Sequence, residues 1–194
     1  MRKVALISVL SAAIALVIVG NQYLIHGSAS EGAKGAASEG PKGTVILLRH
    51  VDANVGRDSS DNLVLDDCTT QRNLNDNGRE QARHLGQHFR TGGLLIGKIV
   101  TSPMCRAIET ARLLDIGPAE HSLEFVDLTN NRRIADQLIK KERDIIARWN
   151  GPGTLIIVTH SSNIKALTNL DIDPGDMVVL EATTTRWRFV SLSN

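Results

Sequence analysis

Two short stretches of the chain are continuously apolar, Val45-Ile46-Leu47-Leu48 and Leu155-Ile156-Ile157-Val158. Runs of this length, bounded by polar and turn-forming residues, read as strands buried on both faces. They predict strands over residues 44–48 and 154–159. Between them the apolar positions fall at helical spacing. Ala82, Leu85 and Phe89 share one face, which predicts a helix over residues 76–90, stopped by Thr91-Gly92-Gly93. Ala107, Ile108, Ala111 and Leu114 line a second helix. Ser102 is its expected N-cap, Pro103 its first residue, and Gly117-Pro118 its end. Ile134, Leu138, Ile145, Ile146 and Trp149 predict a third helix over residues 132–149, followed by the turn Gly151-Pro152-Gly153.

Shorter signals complete the path. Residues 98–101 read as a strand, and Glu124-Phe125-Val126 as strand-like. A short helix is expected over residues 163–168 and a terminal hairpin from residues 177–182 and 186–191. Residues 52–73 are polar and aperiodic. A loop that long in a compact domain is either functional or disordered. Strands alternating with helices predict a three-layer α/β/α domain with a mostly parallel central sheet. Ligands bind such sheets beyond the carboxyl ends of the strands. At that edge two strands run into histidine, His50 and His160, and a third leads into the helix that carries Arg106.

The start of the chain has a different pattern. Arg2 and Lys3 precede the apolar run from Val4 to Val19. Residues 1–27 therefore read as an export signal or a membrane anchor. The segment Ala29-Ser30-Glu31-Gly32 recurs as Ala37-Ser38-Glu39-Gly40, so residues 28–43 read as a flexible linker. The folded domain is expected over residues 44–194. It would be periplasmic, either soluble or held at the inner membrane by the N-terminal segment, its sole expected link to a membrane.

Composition narrows the function. The chain has 194 residues and a formal net charge of +1, with aromatics at 3%. That length suits one domain, and the balanced charge gives no footprint for nucleic acid. The two cysteines, Cys68 and Cys105, lie in no zinc-type cluster. In an oxidising compartment they are expected to pair, which would pin the loop containing Cys68 beside Arg106. The alternatives are two buried thiols, or one packed and one free. His84 and His88 stand four apart on a predicted helix but lack the glutamate of a zinc motif, so they read as a solvated face.

Arginine forks at Arg49 and Arg106 suit phosphate oxygens. Amides at the start of the second helix would add an anion site. One neutral imidazole would attack phosphorus while the other, protonated, stabilises the developing charge. No metal or cofactor is needed for this chemistry. Arg72 either lines the pocket or is a solvated loop charge.

Four ordered motifs carry a resemblance. Leu48-Arg49-His50 resembles a signature Arg-His-Gly, with Val51 in place of glycine. Residues 74–82, Leu-Asn-Asp-Asn-Gly-Arg-Glu-Gln-Ala, resemble Leu-Thr-x-x-Gly-x-x-Gln-Ala. Residues 102–111, Ser-Pro-Met-Cys-Arg-Ala-Ile-Glu-Thr-Ala, resemble Ser-x-x-x-Arg-Ala-x-x-Thr-Ala. Residues 158–164, Val-Thr-His-Ser-Ser-Asn-Ile, resemble Val-Thr-His-Gly-x-x-Ile, with Ser161 in place of glycine. Together they resemble the histidine phosphatase superfamily, the phosphoglycerate-mutase-like branch 1. The small exported bacterial members, such as the lipopolysaccharide core heptose phosphatase type, are the most similar.

The resemblance implies His50 as nucleophile and Arg49, Arg106 and His160 as the phosphoryl-binding groups. It also implies a carboxyl proton donor, for which Asp127 is the first candidate and Glu124 the second. The two replaced glycines predict a pocket rim of altered shape. The implied substrate is a phosphorylated small molecule, glycan or phosphoprotein. A degenerate phospho-ligand binding module and a phosphoglycerate-type mutase remain as alternatives. Substrate identity and oligomeric state have no readable signal.

Overall fold

The computed structural model describes residues 43–59, 62–182 and 187–192. Residues 1–42, where a signal or anchor and most of the linker are expected, lie outside the described residues. Among those described, no helix is long and apolar enough to cross a membrane.

The chain runs β1 (Thr44–Arg49), α1 (Asp76–Thr91), β2 (Ile96–Thr101), α2 (Cys105–Leu114), β3 (Ala119–His121), α3 (Ala135–Ala147), β4 (Thr154–Thr159), α4 (Ser161–Thr168), β5 (Met177–Ala182) and β6 (Trp187–Leu192). The strands form one sheet in the order β3-β2-β4-β1-β5-β6. The first four are parallel, and β5 and β6 add an antiparallel hairpin. The expected α/β/α architecture is what the chain adopts.

Alternation along β1 and β4 builds two cores. Ile46, Leu48, Ile156 and Val158 face Leu85 and Phe89 of α1 and Ala107, Ala111 and Leu114 of α2. Val45, Leu47, Leu155 and Ile157 face Ile146 of α3 and Ile164 of α4. Each face thus buries its own row of side chains, which is why the two strands read as unbroken apolar runs.

Several boundaries differ from the sequence reading. The helix after Ser102-Pro103 begins at Cys105, with Met104 as its N-cap. Ser102 instead accepts a bond from the Met104 amide at 3.2 Å. Glu124-Phe125 belongs to a 3-10 turn, Leu123–Phe125, and not to a strand. The unforeseen strand is β3, a three-residue parallel edge with two exposed residues. An edge strand this short and polar has no apolar alternation to betray it. The third helix is preceded by the 3-10 turn Arg132–Ile134 and stops before Trp149. Ile134, expected inside, is 44% exposed. Helix α4 starts at Ser161, two residues earlier than expected, with His160 as its N-cap.

The long loop is ordered along its described length. A bridge pairs Ala53 with Leu74, and Cys68–Thr70 forms a 3-10 turn. Leu63 and Leu65 pack on a small core of Met104, Val126, Leu128 and Leu138. Cys68 and Cys105 are disulfide-bonded with Cα atoms 5.7 Å apart, as the first of the three readings expected.

Candidate active site

The sheet register brings three strand ends together. Arg49 pairs with Thr159, and Thr101 with Val158. Just past these pairs, the His50 amide donates to Thr159 O at 2.9 Å and the Ser102 amide to Val158 O at 2.9 Å. The two histidine rings therefore meet edge to face, with centroids 5.2 Å apart.

The segment after His50 is held by the second sequence motif. Asn75 caps α1 through the Gly78 amide at 2.7 Å and donates to Asp52 at 2.8 Å. Gln81 accepts from the Asp52 amide at 3.1 Å and donates to Pro174 O at 2.7 Å. Gly78 lies so close to the Asp52 carbonyl that any Cβ there would collide with it. The motif residues thus press the first turn of α1 against the chain leaving His50.

His50 has a defined tautomer. Its Nδ1 lies 2.8 Å from Val51 O. A carbonyl only accepts, so Nδ1 carries the hydrogen and Nε2 keeps the lone pair. That lone pair faces Arg106, whose Nε–H donates to it at 3.2 Å. Burial, and next the Arg106 charge, lower the His50 pKa to about 3. His50 is a neutral base across the physiological range. The Val51 side chain is fully buried in the core with Leu74 and Ala82, so the lost glycine adds its bulk beneath the site and not at the rim.

Arg106 is fully buried and makes two further charged contacts. Its Nη1 donates to Asp58 at 2.9 Å and its Nη2 to Asp127 at 2.8 Å. Asp58 also accepts from the Arg72 amide at 2.8 Å and from Asn130 Nδ2 at 3.0 Å. The sequence reading missed Asp58. The long loop holds several aspartates, and no periodicity separates the one that turns inward from those that face water.

Asp127 accepts from the Thr129 amide at 2.9 Å and the Ser162 hydroxyl at 2.8 Å. Burial opposes its ionisation, but these donors and the Arg106 charge prevail and hold the carboxyl well below the usual range. An ionised carboxylate has no proton to deliver, so this geometry runs against the expected proton donor. It fits a group that orients Arg106. Glu124 is no replacement, since its partners are Ser122 and Lys141.

His160 is 1% exposed, with Nε2 2.7 Å from Ser102 Oγ. Its Nδ1 has no hydrogen bond and lies 3.8 Å from Asp127. Burial, and with it the Arg106 charge, pushes its pKa well below the ordinary value, against the pull of Asp127. His160 is therefore neutral, not the standing imidazolium expected from sequence. Arg49 donates from Nη1 to Ile172 O at 2.6 Å, while its Nε is buried without a partner. Arg72 is half-buried, and its charge lowers the pKa of Arg49, His50 and His160, which places it at the rim.

Of the amides expected to form an anion site at the start of α2, those of Met104, Cys105 and Ala107 have partners within the protein. Cys105 N–H donates to Gln71 Oε1 at 2.9 Å, and Met104 N–H to Ser102. His84 lies on an exposed face, 3.7 Å from Glu80. Among the described residues no group of three metal-ligating side chains occurs.

Comparison with known proteins agrees with this arrangement. Residues 45–126 match the model of the histidine phosphatase superfamily (branch 1), a segment that includes His50 and Arg106. No curated protein matches the chain in sequence. Solved structures do match in fold. The product of the open reading frame Rv3214 from Mycobacterium tuberculosis is 14% identical, with a TM-score of 0.59 over 76% of this chain and 95% of that one. A phosphoserine phosphatase from Entamoeba histolytica is 14% identical, with a TM-score of 0.57 over 78% and 98%. The mycobacterial glucosyl-3-phosphoglycerate phosphatase Rv2419c is 16% identical, with a TM-score of 0.54 over 75% and 96%. Residues 45–126 are thus similar to the histidine phosphatase superfamily (branch 1), and the chain shares its fold with these solved structures.

Proposed function

We propose that the protein is a metal-independent phosphomonoester hydrolase that works through a phosphohistidine on His50. The observation that carries this reading is the bond from His50 Nδ1 to Val51 O, which leaves Nε2 unprotonated, its lone pair turned to Arg106. Nε2 bonds to phosphorus as the ester P–O bond breaks, and the departing oxygen takes up a proton from solvent water. A water oxygen then attacks phosphorus, the P–N bond breaks, and inorganic phosphate leaves with His50 restored. Arg49, Arg106 and His160 bind the phosphoryl oxygens. The unpartnered Nε of Arg49 and Nδ1 of His160 are buried polar groups that an oxyanion would satisfy. A bound dianion would also draw a proton onto His160. Asp127 positions Arg106 and His160.

The phosphatase names of the structural neighbours support a phosphorylated small molecule as substrate. A glycan or phosphoprotein fits the same chemistry. We place the enzyme in the bacterial envelope, exported by residues 1–27. The disulfide supports an oxidising compartment. Nothing in the site favours the binding-only reading, because the nucleophile is in its reactive tautomer.

The test is rapid quenching with a radiolabelled aryl phosphate. Acid-labile, base-stable label on His50 is expected. Turnover without label on histidine would refute the mechanism.

A further inference from the structure

Arg106 carries one positive charge yet faces two carboxylates before any substrate arrives. The two are held differently. Asp127 is tied to the Thr129 amide and to Ser162 of α4, next to a packed core. Asp58 sits on the loop between β1 and α1. It is 7% exposed at its side chain and has three donors: Nη1 of Arg106, the Arg72 amide and Asn130 Nδ2. Two of these donors lie outside the core of the site and can keep hold of a displaced carboxylate. The Arg106 contact is the one a phosphoryl oxygen needs.

A carboxylate on an arginine fork presents the same chemistry as a phosphoryl oxygen: a planar or tetrahedral anion accepting charge-assisted N–H bonds. A dianion entering beside the Asp58 carboxylate meets repulsion at short range in a buried pocket, where screening is weak. Resting on the reading of this pocket as a phosphoryl site, we propose that Asp58 is an internal competitor for Arg106. It sets how tightly the site holds dianionic phosphate, and it leaves Nη1 when the substrate binds. Asp58 is thus a specificity-determining residue. It weakens the hold on inorganic phosphate, the product, and favours esters whose remaining contacts compensate for its displacement.

The variant Asp58→Asn separates charge from shape. Its Oδ1 can still accept from Arg106 and the Arg72 amide, and the Asn130 amide can rotate to present its oxygen. Calorimetric titration with inorganic phosphate and with vanadate, on wild type and variant, reads binding without turnover. The expected result is a Kd for phosphate lower by about tenfold or more, the effect of removing one neighbouring like charge. KM for an aryl phosphate should fall by more than kcat changes. A melting curve checks that the variant is folded. If it is not, Asp58→Ser, which also removes the charge, is titrated instead. Unchanged or weaker phosphate binding in a folded variant overturns the proposal. So does a collapse of kcat with Kd unchanged, since Asp58 would then act on the reacting atoms. Label on His50 in the wild type with no gain in Asp58→Asn sinks this inference and leaves the phosphatase reading standing. Tighter phosphate binding without any label on His50 does the reverse.

Discussion

Arg106 Nε–H points at His50 Nε2 across 3.2 Å, so the two side chains are hydrogen-bonded to each other. In the proposed mechanism the contact keeps the attacking lone pair in register with the guanidinium that would hold the phosphoryl group. It also ensures that His50 carries no proton there.

His50→Ala should abolish hydrolysis of an aryl phosphate. His160→Ala and Arg106→Ala should each lower kcat by roughly 10²–10³-fold, the usual effect of losing one preorganised donor to a transition state. Steady-state kinetics on the three variants check this, and wild-type turnover by His50→Ala would refute the assignment.

The folded-state pKa of His50, about 3, lies below the unfolded value. Its contribution to stability is therefore present above about pH 6.5 and lost as the pH falls toward about 3. The same sign holds for activity. After correction for substrate ionisation, kcat/KM should show no acid limb near pH 6.5 from this residue. An NMR titration that finds the His50 ring protonating near pH 6.5 would contradict the neutral nucleophile.

Glu142 of α3 behaves in the opposite sense. It is fully buried, with Oε1 accepting from Asn163 at 2.6 Å and Oε2 unpartnered. Burial raises its pKa to about 7, against the Asn163 bond and the Arg143 charge. A raised value means stability that is full below the unfolded pKa of about 4.3 and lost as the pH rises through 7. Glu142→Gln should thus stabilise the fold by roughly 3 kcal/mol at pH 8 and far less at pH 4. Urea titrations at both values measure the difference, and equal effects would disprove the linkage.

The disulfide closes a loop with a sequence separation of 37. Replacing both cysteines by serine should lower stability by roughly 3–4 kcal/mol in the chain-entropy model. Because His50, Arg106 and His160 stand on strand ends and α2, kcat should suffer far less than stability. Thermal melts alongside kinetics test both halves.

Activity should survive EDTA. Arg49, Arg106 and a substrate-protonated His160 supply the positive charge that a metal would otherwise bring. Loss in chelator with recovery on adding a divalent ion would count against the mechanism.

Much of this was legible in the chain. Buried parallel strands are apolar on both faces, so β1 and β4 stood out, each running into a histidine at the carboxyl edge of the sheet. Helices α1 and α2 followed from one-sided packing. The four motifs pointed to the superfamily whose model matches residues 45–126, and to Arg49, His50, Arg106 and His160 as candidates. Even the cysteine pair was foreseeable from an even count beside the site.

Contacts between distant segments were a different matter. Whether Asp127 keeps or gives a proton depends on Thr129, Ser162 and Arg106 around it, and pKa is a property of surroundings, not of residue type. His160 is neutral because burial outweighs its carboxylate neighbour. Val51 is harmless because its side chain turns into the core. Asp58 reaches Arg106 only because the Cys68–Cys105 bond, Gln71 and the Leu63–Leu65 packing fold the loop inward. Local sequence encodes periodicity, and periodicity builds strands and helices. Charge pairing across 48 residues is settled only when the tertiary fold closes, so that part of the chemistry waited for the structure.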